Sequence, residues 1–383
     1  MRECSLSDLR LRIKELYERN PKASEIVKII RDYASIIKKH VKIMDFCGTH
    51  EWTITYYGLR SLMPNNIELI AGPGCPVCVT PGYYVEALIK LSLEGVNVIT
   101  YGDAFKLPSV RGSNPKSLAE AKALGGKVTV VYSFLDAVKV AKERPNEEHV
   151  FFSVGFETTM PAVSTTLYYR AVPHNLYVLS AHRLTPPIMK YLMSNVKGVE
   201  LDGVLAPGHV SAILGSNAWE FIPKDYGVTT VVTGFEPLDV LLAVLLILKS
   251  IKEGRAELLN EYRRVVKPEG NLTAKKTINE VFTYVDSYWR GIGVVEGSGA
   301  KLKATYERND AEVRYGIKEP KTHSDIIPGC RCGEVVLGLR KPTECPLFMK
   351  VCTPENPYGP CMVSSEGTCR IWAENLPLSV EGI

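Results

Sequence analysis

The sequence contains no glutamine and no long apolar run. Depletion of a thermolabile amide points to a thermophilic source. The longest uninterrupted apolar stretch, Val240 to Leu248, is bracketed by Asp239 and Lys249. It falls far short of the roughly 20 residues that cross a bilayer, so no membrane span is expected. An excess of either charge is missing too. The 46 basic and 42 acidic residues leave only +4, which gives no electrostatic reason to expect nucleic acid or an anionic membrane as partner. The start of the chain (Met1, Arg2, Glu3, then Ser5 to Asp8) lacks the apolar core of a secretory leader, which predicts a cytoplasmic protein. Nucleotide loops are absent: there is no Gly-x-x-x-x-Gly-Lys-Ser/Thr, and Gly291-Ile292-Gly293 does not continue into Gly-x-Gly-x-x-Gly.

What remains is an ordinary globular composition, 45% hydrophobic and 23% charged over 383 residues. That excludes disorder and collagen-like structure and allows two or three domains. Residues 6–40 carry helical spacing with a break at Asn20-Pro21. Short β-branched runs then alternate with helical stretches: 41–46, 67–71, 96–101 and 127–132, then 150–154, 176–180, 203–206 and 229–233. The alternation predicts parallel sheets with crossover helices. The two sets are expected to be an internal duplication, with Cys47-Gly48-Thr49-His50 answered by Val154-Gly155-Phe156-Glu157. The expected fold class is α/β, with two similar doubly wound parallel-sheet domains and a small Cys-rich module, read as iron–sulfur on the cysteines that follow. Boundaries are expected at 1–135, 136–290 and 291–383, with helices at 238–252 and 257–265 closing the second domain.

Ten cysteines in a reducing compartment point to metal or redox chemistry ahead of structural disulfides. Six lie in the tail: Cys330, Cys332, Cys345, Cys352, Cys361 and Cys369. Their irregular spacing lacks the paired knuckles of structural zinc and favours an iron–sulfur cluster, with zinc as the alternative. Cys75 and Cys78 form a Cys-x-x-Cys where a strand turns into a helix, suited to metal binding or disulfide exchange, or to half a zinc site. Cys47 and His50 lie three residues apart on a similar turn and can share a substrate or metal. Glu157 and His209 fall at the strand ends of the second set, as candidate acid–base groups or as members of a hydrogen-bond network. Asp103 and His182 belong to the same class.

Cys47-Gly48-Thr49-His50-Glu51, Gly72-Pro73-Gly74-Cys75-Pro76-Val77-Cys78, Gly155-Phe156-Glu157-Thr158-Thr159, Pro207-Gly208-His209-Val210-Ser211 and the cysteine-rich tail together closely resemble the HypD family of hydrogenase maturation factors. The resemblance covers nearly the whole chain. It implies a scaffold for assembling the Fe(CN)2CO unit of [NiFe] hydrogenases, working with the chaperone HypC and receiving cyanide from HypE and HypF. It further implies that Cys330, Cys345, Cys352 and Cys369 hold a [4Fe-4S] cluster, with Cys332 and Cys361 as a redox-active pair. Cys47, Cys75 and Cys78 would line the cleft where iron receives its ligands, with His50, Glu157 and His209 around it. Two rival readings are a [4Fe-4S]-dependent thiol–disulfide reductase and a structural zinc protein.

Overall fold

The β-branched runs form the expected parallel sheets in the computed structural model, which describes residues 20–375. The part of the expected helical start before residue 20 lies outside the described residues; Lys22–Ile36 is helical. In chain order the strands are β1 (Val41–Asp45), β2 (Ile67–Ala71), β3 (Asn97–Tyr101), β4 (Val128–Val131), β5 (His149–Ser153), β6 (Leu176–Ser180), β7 (Gly203–Pro207), β8 (Thr229–Thr233) and β9 (Leu258–Asn260). An antiparallel hairpin follows, β10 (Phe282–Trp289) with β11 (Gly293–Leu302). One sheet has the order β2-β1-β7-β8-β9 and the other β4-β3-β5-β6. Their pairs are all parallel. β5, β7 and β8 are buried at every position, as strands covered on both faces must be, and hence read as unbroken apolar runs.

The chain divides into two units that interleave in sequence. Among the described residues, one holds 20–72, 197–270 and 375, and the other 73–196 and 271–374. The expected contiguous boundaries at 135/136 and 290/291 are therefore corrected. β1 pairs with β7, not with β3, because hydrophobic periodicity marks a strand without naming its neighbour. Numbered within its own unit, each sheet has its first four strands in the order 2-1-3-4. The resemblance between the units is thus real in topology, but its correspondences differ from those expected. The turn after β1 answers the turn after β3, and the turn after β7 answers that after β5.

The expected helix over 257–265 is also corrected: Leu258–Asn260 is a short strand beside β8. The cysteine-rich tail is not a module with its own core. Its Cys332, Cys352, Cys361 and Cys369 are buried in one apolar cluster with Cys75, Cys78, Phe152, Phe156 and Trp289 of the second unit. The first unit has a separate core, in which Ile30, Ile43, Ile54, Leu205, Val231 and Val244 meet.

Candidate functional site

Ligands of open parallel sheets bind outside the carboxyl ends of the strands, where the strand order reverses. In the first unit that point lies between β1 and β7. Cys47 follows β1 as the extended residue preceding the helix Gly48–Tyr56. His209 follows β7 in the first turn of the helix Gly208–Leu214. Gly208 lets this turn close, since a Cβ there would lie 2.5 Å from the Thr233 carbonyl oxygen and 2.8 Å from the Tyr262 ring. The Cys47 Sγ lies 3.6 Å from Nδ1 of His209. The thiol is buried and the imidazole half-buried.

His50 has a different task from the one expected. Its Nε2 donates to the carbonyls of Gly234 (2.8 Å) and Thr233 (3.2 Å) at the end of β8. Nδ1 makes no hydrogen bond. Burial, aided by the nearby His209, lowers its pKa to about 4, so the ring is neutral at physiological pH. His50 hydrogen-bonds the end of β8, while the Cys47 thiol meets the distant His209. Phe235 links the two imidazoles, its ring centroid 4.9 Å from His50 and 5.3 Å from His209.

Below Cys47, sequence reading missed a buried charge set. Asp45 is 1% exposed, and burial, reinforced by Glu51, pushes its carboxyl well above the usual carboxylate range, against the pull of Arg60. Arg60 in turn pairs with Glu51. The signal available was an acid at the end of the apolar run Ile43-Met44-Asp45.

In the second unit Cys75 and Cys78 are joined in a disulfide, and the Cys78 N–H donates to the Cys75 sulfur at 3.1 Å. Metal ligation by this pair, as expected from sequence, requires its reduction. The turn Val77–Val79 packs on Pro360–Met362 and on the helix Cys332–Val336, which carry Cys361 and Cys332. All six tail cysteines line one cavity, walled by Leu347, Phe348 and Met362. Cys332 and Cys361 are free thiols in mutual hydrogen-bond contact. Cys330 and Cys369 are free thiols as well, interacting with Cys332 and Cys361 respectively. The Cys332 bond and burial push the Cys330 thiol up. For Cys332, the lowering effect of Cys330 is outweighed by Cys361 and burial.

Backbone N–H groups of Tyr358 and Cys369 donate to the sulfurs of Cys352 (3.4 Å) and Cys361 (3.3 Å). A Cβ on Gly359 would lie 2.8 Å from the Cys330 sulfur, so glycine leaves room for it. Among the described residues no three His, Cys, Asp or Glu side chains converge on a single-ion position; the sulfurs ring the cavity instead. An all-sulfur set with N–H donors fits a soft iron–sulfur group, in which each thiolate has its own iron.

Glu157 and the weaker candidates hold loops. Glu157 is buried and accepts from both the backbone N–H (2.7 Å) and the hydroxyl (2.8 Å) of Thr185, at the start of the helix Thr185–Asn195. His182 lies between the hydroxyls of Ser153 and Ser180, and burial lowers its pKa to about 3. Asp103, at the end of β3, accepts from Ser364 and Ser365 of the tail. Cys47, His50 and His209 thus belong to the first unit, and Cys75, Cys78, Glu157 and the tail cysteines to the second.

Comparison with known proteins agrees with these motifs. The family model described as "HypD: Hydrogenase formation hypA family" matches residues 21–375. The chain is 43% identical over 342 residues to hydrogenase maturation factor HypD2 of Bradyrhizobium diazoefficiens, covering 87% of this chain and 88% of that protein. It is 44% identical over 334 residues to a putative hydrogenase expression/formation protein of Methanocaldococcus jannaschii, covering 87% and 91%. To hydrogenase maturation factor HypD of Escherichia coli K12 it is 39% identical over 370 residues, covering 94% and 97%. The chain belongs to the HypD family of hydrogenase maturation factors.

Proposed function

We propose that this chain is the scaffold on which the Fe(CN)2CO unit of [NiFe] hydrogenases is assembled. The observation that carries this reading is the buried Cys47 thiol held 3.6 Å from His209 at the carboxyl edge of β1 and β7. Transfer of the Sγ proton to Nδ1 leaves a thiolate, a direct donor for iron, which is here the cargo. Electron-rich sulfur favours the low-spin iron that cyanide and carbon monoxide require. His50 fixes the β8 turn and the ring of Phe235 that abuts His209.

In the second unit Cys330, Cys345, Cys352 and Cys369 would hold a [4Fe-4S] cluster, with Cys332 and Cys361 as the exchangeable pair. When bound, the cluster supplies one-electron chemistry. The partners in this reading are a HypC-type chaperone and HypE, with HypF, as cyanide donor, all in the cytoplasm, where thiols stay reduced.

The Cys75–Cys78 disulfide lying against free thiols favours a second reading, a [4Fe-4S]-dependent thiol–disulfide reductase. Infrared spectroscopy of the anaerobically co-purified chaperone complex separates the two. Bands of metal-bound cyanide and carbon monoxide are expected in the parent and absent in Cys47→Ala, with tail iron and sulfide unchanged. A complex free of such bands that still reduces disulfides would overturn the scaffold reading.

A further inference from the structure

Arg290 connects the hairpin turn between β10 and β11 to both cysteine-bearing loops of the second unit. Its side chain is 1% exposed. Nη1 donates to Pro108 O (2.6 Å), Nη2 to Ser109 O (3.1 Å) and Asp325 O (2.6 Å), and Nε to Asp325 O (3.0 Å). Its backbone N–H donates to Val79 O (2.9 Å), one residue past Cys78. The next residue, Gly291, packs its backbone on Gly333, one residue past Cys332.

The guanidinium is thus held by neutral carbonyls. The carboxylate of Asp325 stands 4.0 Å from Nε, and its two oxygens accept from Gly82 N–H and the Tyr288 hydroxyl. A guanidinium keeps its proton in proteins, so burial here creates a permanent positive charge that solvent screens weakly. The charge sits where these loops meet: its own backbone holds Val79 beside Cys78, the next residue packs on Gly333 beside Cys332, and its side chain holds Asp325, five residues before Cys330. Burying a charge costs several kcal/mol, a cost that a neutral donor tying the same loops would avoid in large part.

We propose that Arg290 is a positioning residue that joins the two cysteine loops and supplies the fixed positive charge that sets the reduction potential of the iron–sulfur group in the tail. The inference rests on the reading of Cys330, Cys345, Cys352 and Cys369 as ligands of that group. Adding an electron adds negative charge, so a nearby cation favours the reduced form and a nearby carboxylate disfavours it.

The test is a potentiometric titration of the anaerobically reconstituted full chain, followed by electron paramagnetic resonance. Iron and acid-labile sulfide are counted first. Arg290→Met should lower the reduced-to-oxidised ratio at the parent midpoint about tenfold, equivalent to 59 mV for one electron. Arg290→Lys should stay near the parent. Asp325→Asn keeps an acceptor for Gly82 and should shift the midpoint upward. A parent without iron and sulfide would defeat the ligand assignment itself. A loaded parent whose Arg290→Met and Asp325→Asn variants both titrate at the parent midpoint would reduce Arg290 to a structural tie and overturn the proposal. If Arg290→Met does not fold, Arg290→Gln, which keeps donors for the carbonyls without the charge, decides instead: a downward shift supports the charge role, and no shift or an upward one ends it.

Discussion

The two histidines around Cys47 differ in what their loss should do, because one touches the thiol and the other touches backbone. His209→Ala removes the group at 3.6 Å from Sγ and should slow alkylation of Cys47 by iodoacetamide at pH 7, with little loss of stability since the ring is half-buried. His50→Ala leaves the Thr233 and Gly234 carbonyls without their donor, a loss of about 1–3 kcal/mol by chemical denaturation. Equal alkylation rates in His209→Ala and parent would show that the contact does not activate the thiol. The same geometry fixes an acid response. With His50 at about 4 when folded and 6.5 as its ordinary value, the unfolded chain binds more protons across that window. Stability therefore falls as pH drops from 6.5 toward 4. Glu261 works in the opposite direction. Burial, with Asp239 adding to it, raises its pKa from 4.5 to about 7. The folded state holds the extra proton, and stability is lost as pH rises from 4.5 through 7. Glu261→Gln should lose less stability than the parent between pH 5 and pH 8 in thermal melts; parallel curves would refute the assignment.

At the scale of elements, the tail helix Cys332–Val336 docks on the hairpin turn through two glycines. A Cβ on Gly333 would collide with the Gly291 carbonyl oxygen, and neither side of that contact is a flexible side chain. Gly333→Ala should cost about 1–3 kcal/mol through overpacking and perturb the fluorescence of Trp289, which is buried beside the turn. An unchanged emission spectrum and melting curve would mean that the helix does not dock there. Elements of this kind were unequally legible in the sequence. β2, β6 and β8 stood out to the residue because β-branched runs ended in glycine or polar turns. β9 did not, since Leu258-Leu259-Asn260 is too short to display a period, and its strand state comes from pairing with β8. The β10–β11 hairpin was hidden by mixed polarity, for several of its residues, such as Tyr284 and Val294, face solvent. Among site residues, the thiols and His209 were readable as motifs. The Cys47–His209 contact was not, because the two are 162 positions apart and are brought together by the pairing of β1 with β7.

For the whole molecule, the sharing of cores decides what a cofactor can stabilise. Both units place unusual residues at the carboxyl end of the first strand of their own sheet, yet they use the position differently. After β1 the turn offers Cys47 to His209. After β3, Asp103 binds Ser364 and Ser365, so the tail cysteines are anchored at the corresponding edge of the other sheet. Because those cysteines share an apolar cluster with Phe152, Phe156 and Trp289, removal of the iron proposed for the tail should loosen the second unit as a body, metal binding being coupled to folding. Hydrogen exchange after anaerobic treatment with a chelator should therefore accelerate in β3, β5 and the β10–β11 hairpin as well as in residues 328–370. β1, β7 and β8 belong to the other core and should keep their protection. Cys47→Ala should leave the whole pattern and the tail spectrum unchanged, since Cys47 belongs to the first unit. Acceleration confined to residues 328–370 would restore the tail to the status of an independent module. Equal acceleration in β7 and β8 would instead mean that the two cores unfold as one cooperative system.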